Sequence, residues 1–186
     1  MENQQGAKKK FYKKWWFWGL VIVVLMVIGA SNSPSSEKVG SGGVADTSSQ
    51  PSAQTTYKVG DQIKLGDSVI TVNSVSYSQG GQFTSPSAGN KWVDLNITIQ
   101  NTSSSQQYVT TLGQMFVRDA QGNSYQISST DKTITDINNR LDGAIIANSK
   151  RTGWVGFEVP KNATGLQFQY NGSMWGGGTV LVDLGK

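Results

Sequence analysis

The sequence predicts an all-β protein: a sandwich of two packed antiparallel sheets, preceded by one N-terminal transmembrane helix and a disordered linker. Three observations predict this. Short runs of alternating apolar and polar residues, separated by Gly, Asn, Asp and Ser, fill residues 57–186. One uninterrupted apolar run occupies residues 15–30. Between them, residues 31–56 are poor in apolar side chains and rich in Ser, Gly, Thr and Gln.

The apolar run follows a basic tail, residues 1–14, which carries five lysines and one glutamate. As a helix the run is about 24 Å long, a little short of the ~30 Å hydrocarbon core of a bilayer. Five flanking side chains suit the boundary between lipid and water, namely Lys13, Lys14, Trp15, Trp16 and Trp18. Because cytoplasmic flanks carry the excess of lysine, we expect a single-pass protein of the cell membrane with a cytoplasmic N-terminus and an extracellular C-terminal domain.

A cleaved signal peptide is the alternative interpretation, since a basic segment, an apolar segment and a small residue, Ala30, occur in the required order. Ile28 stands where such a cleavage site requires a small residue, which favours retention of the helix. Under either interpretation the domain is exported. Residues 31–56 then form a flexible tether with an end-to-end distance of roughly 28 Å.

The strands are predicted from alternation with a period of two, which marks a strand with one buried face. In residues 91–101, Val93, Leu95, Ile97 and Ile99 are expected to face the core, and Asp94, Asn96, Thr98 and Gln100 to face solvent. The same pattern places Val155, Phe157, Val159, Leu166, Phe168 and Tyr170 in the core. Further strands are predicted at 62–65, 69–77, 106–110, 115–119, 124–127 and 179–184. Such closely spaced short strands are typical of a sandwich.

The composition excludes several kinds of function. The chain has no cysteine and no histidine, so disulfides, thiolate metal sites, histidine-based zinc sites and histidine-containing triads are absent. Ten basic and nine acidic side chains in residues 57–186 leave the domain nearly neutral, without the basic stripe of a nucleic-acid-binding protein. We therefore expect no enzyme activity, no cofactor and no nucleic-acid partner.

Two oxygen-rich segments could be mistaken for metal sites. Residues 119–123 lack the acidic spacing of a calcium loop and are expected to form a hairpin turn. In the second segment Arg140 lies among Asp131, Asp136 and Asp142, where its charge opposes a cation. The sequence predicts no metal site in either segment.

A resemblance to a known family is carried by a series of short segments in a fixed order. These segments are YKVGD at 57–61, ITVNSV at 70–75, NKWVDLNITIQN at 90–101, FVRDAQGNSY at 116–125, GWVGFEVP at 153–160 and LQFQY at 166–170. They resemble the bacterial immunoglobulin-like domain of unknown function found in exported lipoproteins and membrane-anchored proteins, mainly of Gram-positive bacteria. That family is related in fold to a secreted immunoprotective antigen. The resemblance implies an immunoglobulin-like sandwich over residues 57–186, displayed outside the cell and without an established activity.

The sequence therefore predicts an extracellular, non-catalytic interaction module of the cell envelope, which contacts an envelope protein or wall component through end loops. The candidate loops are residues 78–90 and 171–178. Trp175, between glycines, is the candidate partner-binding residue, although its ring could instead cap the sandwich. The catalytic alternative is an envelope hydrolase that uses carboxylates alone, but Asp94 and Glu158 are expected to face outward with nothing that brings them together.

Overall fold

A computed structural model describes residues 37–38, 55–172 and 177–185 of the chain. The expected transmembrane helix, residues 15–30, and most of the expected linker lie outside these residues. Four linker residues lie within them. Glu37–Lys38 forms a short strand, β1, and Thr55 and Thr56 lead into the next strand.

The described residues form twelve strands and one short helix. The strands after β1 are β2 (Thr56–Lys58), β3 (Ile63–Leu65), β4 (Ser68–Ser78), β5 (Asn90–Asn101), β6 (Gln107–Val109), β7 (Met115–Arg118), β8 (Ser124–Gln126), β9 (Gly143–Ile145), β10 (Lys150–Pro160), β11 (Gln167–Asn171) and β12 (Thr179–Asp183). The helix, α1, spans Asp131–Thr135 between β8 and β9.

The strands form two five-stranded sheets and a small ribbon. The first sheet has the order β1-β3-β4-β5-β10, and the second has the order β2-β12-β11-β7-β8. Strands β6 and β9 pair separately as a two-stranded ribbon. Neighbouring strands are antiparallel except β2 and β12, which are parallel. The predicted all-β sandwich of antiparallel sheets is confirmed.

The core lies between the two sheets and includes all the apolar positions predicted from alternation. Val93, Leu95, Ile97 and Ile99 of β5 are fully buried. Side chains of the facing sheets meet directly, as where the rings of Phe157 and Phe168 pack edge to face with centroids 6.4 Å apart. Each fully buried large apolar side chain contributes about 1.5–3 kcal/mol through its transfer from water. Alternation therefore determines which face of each sheet forms the core.

The two ends of the sandwich are named after the ends of β5, the Asn90 end and the Asn101 end. The β4–β5 loop lies at the Asn90 end, because Ser78 pairs with Trp92 near the start of β5. The β11–β12 turn lies at the Asn101 end, where a Cβ on Gly172 would stand 2.8 Å from Leu65 beside the β3–β4 turn. The two loops predicted to contact a partner therefore lie at opposite ends.

Candidate functional site

One predicted polar position on β5 is not exposed, because another segment covers it. Asp94 was expected to face solvent, but it is only 3% exposed. It does lie on the face of the first sheet that points away from the core, as predicted. The segment 127–142 crosses this face and places Thr130 over Asp94 and over its cross-strand neighbour Gly156. A Cβ on Gly156 would lie 2.4 Å from the Thr130 methyl group, so only glycine permits this close approach.

Segment 127–142 is held to strand β10 through its backbone. The amide of Ser128 donates a hydrogen bond to the carbonyl of Gly156 at 2.8 Å. Further along, the amide of Trp154 donates to the carbonyl of Asn139 at 3.3 Å. Leu141, near the end of the segment, is buried in the core. Because both ends of the segment are fixed to β10, the part between them bulges outward and leaves a space beneath it.

The outward part of the segment contains α1, which the sequence did not reveal. The side chain of Thr130 caps its N-terminus by accepting a hydrogen bond from the Thr133 amide, and the Thr133 hydroxyl accepts one from the Thr130 amide in return. No residue of α1 is buried. Lys132 instead places its Nζ atom 4.6 Å from the centre of the Trp154 ring, a cation–π contact. Capping and this contact thus position a helix too short to show apolar periodicity.

An open cleft of about 290 Å³ lies between α1, the residues that follow it and strand β10. Its apolar lining consists of Ile127, Ile134, Ile137, Leu141, Trp154 and Val155. Polar and charged residues also line it, namely Thr111, Ser128, Ser129, Thr133, Asp136, Asn139, Arg140 and Asp142. Ile134 and Ile137 are 42% and 57% exposed, so large apolar side chains stand at the surface of a concave site.

Asp94 and Glu158 lie on the same face of neighbouring strands, diagonally across β5 and β10. Nothing in the sequence indicated that these two carboxylates lie on neighbouring strands. Burial raises the pKa of Asp94, which accepts a hydrogen bond from the Thr130 hydroxyl. The Asn90 side chain and Ser87 donate hydrogen bonds to Glu158 and lower its pKa. Neither carboxylate lines the cleft, and the two have different hydrogen-bond donors.

The loop at the Asn90 end is fixed by carboxylates. The Asp131 carboxylate accepts a hydrogen bond from the Phe83 amide at 2.7 Å, and Glu158 accepts one from the Ser87 amide at 2.9 Å. Under this loop the indole nitrogen of Trp92 is buried and has no well-formed hydrogen bond, although its proximity to Glu158 contributes to lowering the pKa of that carboxyl. The loop 78–90 is therefore attached at one point to α1 and at another to the outer face of β10.

The two oxygen-rich segments use their oxygens for local structure. Residues 119–123 form the predicted hairpin turn between β7 and β8. The Asp119 carboxylate accepts hydrogen bonds from the Asn123 side chain, the Gln121 and Asn123 amides and the Tyr125 hydroxyl. These donors, Asn123 first, lower the pKa of Asp119.

The carboxylates of the second segment point to separate partners. Asp131 accepts from the Phe83 amide, Asp136 from the Asn139 side chain and Asp142 from Thr111. In the part of the chain that the structure describes, no three acidic, cysteine or histidine side chains are grouped to hold a metal ion.

Several predicted site residues fall outside the described residues. Trp175 is one of them. The expected membrane-interface residues Lys13, Lys14, Trp15, Trp16 and Trp18 also lie outside. No helix in the described ranges is long and apolar enough to cross a bilayer.

Comparison with known proteins identifies a family and a set of similar folds. A family model described as "Domain of unknown function (DUF4352)" matches residues 57–180. No curated protein matches the chain.

Three of the similar solved structures come from two bacterial species. The yjhA protein of Bacillus subtilis is 19% identical, with a TM-score of 0.57 over 69% of this chain and 99% of that one. A putative lipoprotein of the same species, ycdA, is 19% identical with a TM-score of 0.50, over 66% of this chain and 38% of its own. MPT63, a secreted protein of Mycobacterium tuberculosis, is 17% identical with a TM-score of 0.50, over 69% of this chain and 96% of its own. At these identities the likeness concerns the fold.

Proposed function

We propose that this chain, which belongs to the DUF4352 family of domains of unknown function, is a membrane-anchored, extracellular and non-catalytic interaction module of the bacterial cell envelope. The observation that carries the proposal is the cleft beneath α1, with Ile134 and Ile137 at its surface. The partner is an envelope protein or a wall component.

Export and anchoring are supported by the N-terminal sequence and by the similar structures. The lysine-rich tail before residues 15–30 favours a retained helix with the domain outside the cell. A putative lipoprotein and a secreted protein share the fold. Release after signal-peptide cleavage is the alternative, and it also delivers the domain outside the cell.

The strand connections support an immunoglobulin-like form of the sandwich. Strand β5 of the first sheet neighbours β10, while β7, β11 and β12 are adjacent in the second sheet. The chain thus crosses between the sheets after β5 and again after β10, as Greek-key sandwiches do. Such scaffolds present loops and covering segments on a rigid frame, which suits recognition.

The size and lining of the cleft suit a protein or peptide partner. A volume of about 290 Å³ is at the lower limit of the ~300–1,000 Å³ typical of small-molecule pockets, and it suffices for one or two apolar side chains. The Ser128 and Ser129 hydroxyls beside the apolar lining offer hydrogen bonds to a partner backbone. Asp94 and Glu158 do not line the cleft, and the two carboxylates that do, Asp136 and Asp142, accept hydrogen bonds from Asn139 and Thr111. These contacts support a binding role for the cleft.

Site-specific photo-crosslinking tests the proposal in intact, wall-stripped cells. A photoreactive phenylalanine analogue replaces Ile137, which is 57% exposed and therefore tolerates substitution. We expect a discrete protein or wall adduct that disappears when Ile134→Asp is added, because the charge would enter an apolar contact. The matched control is Ile146→Asp, a 64% exposed isoleucine outside the cleft, which should leave the adduct in place. Absence of an adduct, or an adduct that survives Ile134→Asp, would contradict the proposal.

Trp175 remains a proposed second contact, since tryptophan is enriched at binding hot spots. Its contribution is separable from that of the cleft, because the strands that flank its loop belong to the second sheet.

A further inference from the structure

The Asn101 end carries an exposed apolar surface that the proposed partner cleft does not include. The described residues contain six exposed large hydrophobic side chains, of which three lie at this end. Tyr108 is 73% exposed, Leu112 is 60% exposed and Ile146 is 64% exposed. Single exposed apolar residues are ordinary, but a group at one end of a small domain indicates a surface that meets an apolar phase.

The ribbon of β6 and β9 presents two of these side chains in the same direction. Tyr108 pairs with Ala144, and Ile146 lies two residues beyond Ala144. Val109 and Ile145, the neighbours of Tyr108 and Ile146 in the sequence, point to the opposite face of the ribbon and are buried in the core. Tyr108 and Ile146 therefore point away from the domain together.

A buried amide fixes the position of Ile146. Asn101, which is fully buried, donates from Nδ2 to the carbonyls of Ser105, Ile145 and Ile146 at 2.7, 3.0 and 3.2 Å. Its Oδ1 accepts from the amide and hydroxyl of Ser103. The exposed apolar side chains thus stand on a rigid frame, as a docking surface requires.

Leu112 lies at the same end, in the loop that leads into β7 of the second sheet. It lies two residues before Gln114, whose carbonyl accepts a hydrogen bond from the Asn171 amide at 2.8 Å. Asn171 is the last residue of β11, where the turn to β12 begins. The β6–β9 ribbon and the loop before β7 therefore both contribute to the exposed surface.

The chain enters the described domain from this end. Strand β2 runs parallel to β12, which starts at the Asn101 end, so β2 runs away from that end. Strand β1 runs antiparallel to β3, which ends at the same side, so β1 also runs away from the Asn101 end. Only the six residues 31–36 separate β1 from the apolar run, and they span at most about 25 Å when extended.

The charged residues near the exposed apolar side chains favour contact with a weakly anionic lipid surface. Lys150 is exposed, four residues after Ile146, and Lys64 is exposed near the end of β3. Arg151 donates to the carbonyls of Arg140 and Ala144 behind the ribbon. Asp67, in the β3–β4 turn, is an exposed acid at this end, and Glu37 of β1 pairs with Lys64 of β3. Apolar and aromatic side chains beside lysines are typical of proteins that rest on lipid headgroups.

We infer that the Asn101 end is a docking surface for an anionic phospholipid bilayer, into whose headgroup region Tyr108, Leu112 and Ile146 insert. The inference rests on the proposed membrane anchor, which keeps this end within reach of the bilayer. It orients the domain with the Asn90 end away from the membrane. A tethered surface needs little affinity of its own, because the short tether supplies a high local concentration of lipid.

Spin-label accessibility on the full chain tests this inference, and the absence of native cysteine makes single labels possible. Leu112→Cys and Ile146→Cys carry labels at the Asn101 end, and Phe83→Cys, 64% exposed, is the matched control elsewhere. Thermal unfolding of each labelled variant is measured first, to verify that the variant is folded. The chain is then reconstituted into vesicles of phosphatidylglycerol and phosphatidylethanolamine, and flotation establishes whether it is anchored.

We expect labels at 112 and 146 to become several-fold less accessible to a water-soluble relaxation agent in vesicles than in detergent, while the label at 83 does not change. Adding Lys150→Glu should reduce that protection. If the chain floats with the vesicles and the labels at 112 and 146 stay accessible, the inference is overturned and the anchor stands. If the chain does not float, the anchor fails and the inference fails with it. Protection that grows with the number of chains per vesicle would assign the surface to a second copy and overturn the inference.

Discussion

Replacement of Asn101 by alanine should destabilise the domain more than its single position suggests. The side chain is fully buried, its two N–H groups lie within hydrogen-bond distance of three carbonyls, and its oxygen accepts two hydrogen bonds. The Ile145 carbonyl is the partner that water cannot easily reach, because that bond is buried while the others are partly buried. Removing the amide leaves this acceptor unsatisfied and disconnects residues 103–105 from residues 145–146.

The magnitude follows from the cost of unsatisfied groups. Each buried unpaired donor or acceptor costs about 1–3 kcal/mol, and the partly buried partners recover some of their bonds from water. A total loss of about 3 kcal/mol is therefore expected for Asn101→Ala. For a domain of this size, about 4 °C of Tm per kcal/mol gives a decrease of roughly 12 °C.

The assay is thermal unfolding of the full chain in mild detergent, followed by near-ultraviolet circular dichroism. Asn96→Ala is the matched control, since Asn96 is on the same strand and makes an exposed hydrogen bond with Asn73. It should cost about 0.5 kcal/mol or less. Equal decreases in Tm for the two variants would show that the buried amide does not organise the Asn101 end.

Three further predictions concern the core, an acidic turn and the loop at the Asn101 end. Ile97→Asp places a charge in the core and should unfold the domain, whereas Thr98→Asp on the opposite face should be mild; equal melting would contradict the assigned phase. Because hydrogen bonds from its own turn lower the pKa of Asp119, the stability that it contributes is present above its unfolded pKa of about 3.9 and is lost as the pH falls through the lower folded pKa. Asp119→Asn should therefore melt below the parent at neutral pH and approach it in acid, and a constant difference would refute this. Trp175→Ala should leave the crosslink at Ile137 in place, and loss of that crosslink without a change in Tm would make Trp175 the main contact.

The strands of the sandwich could be predicted from the sequence because burial of one sheet face imposes alternation on the residues. Val93 to Ile99 show this most clearly, since each apolar position of that run is buried. Strand β9 was not predicted, because its three residues, Gly143–Ile145, are too few to display a period. Its position follows from pairing with β6.

The candidate site could not be predicted in the same way, because it is formed where a polar segment covers the outer face of a sheet. Asp94 has the phase of an exposed residue and is buried only because Thr130, distant in sequence, lies over it. The helix α1 has no buried side chain and therefore no apolar stripe to recognise. The one signal available was a pair of threonines, Thr130 and Thr133, at the spacing of a helix cap.

Protease treatment of intact, wall-stripped cells tests most directly the claim that this is an anchored module displayed outside the cell. We expect the protease to release a fragment that begins within residues 31–56 and contains residues 57–186, while the tail with Lys13 and Lys14 stays protected inside. A soluble form in the culture medium that begins at Ser31 would support signal-peptide cleavage instead. A chain that stays intact on treated cells but is cut once the membrane is permeabilised would contradict display outside the cell.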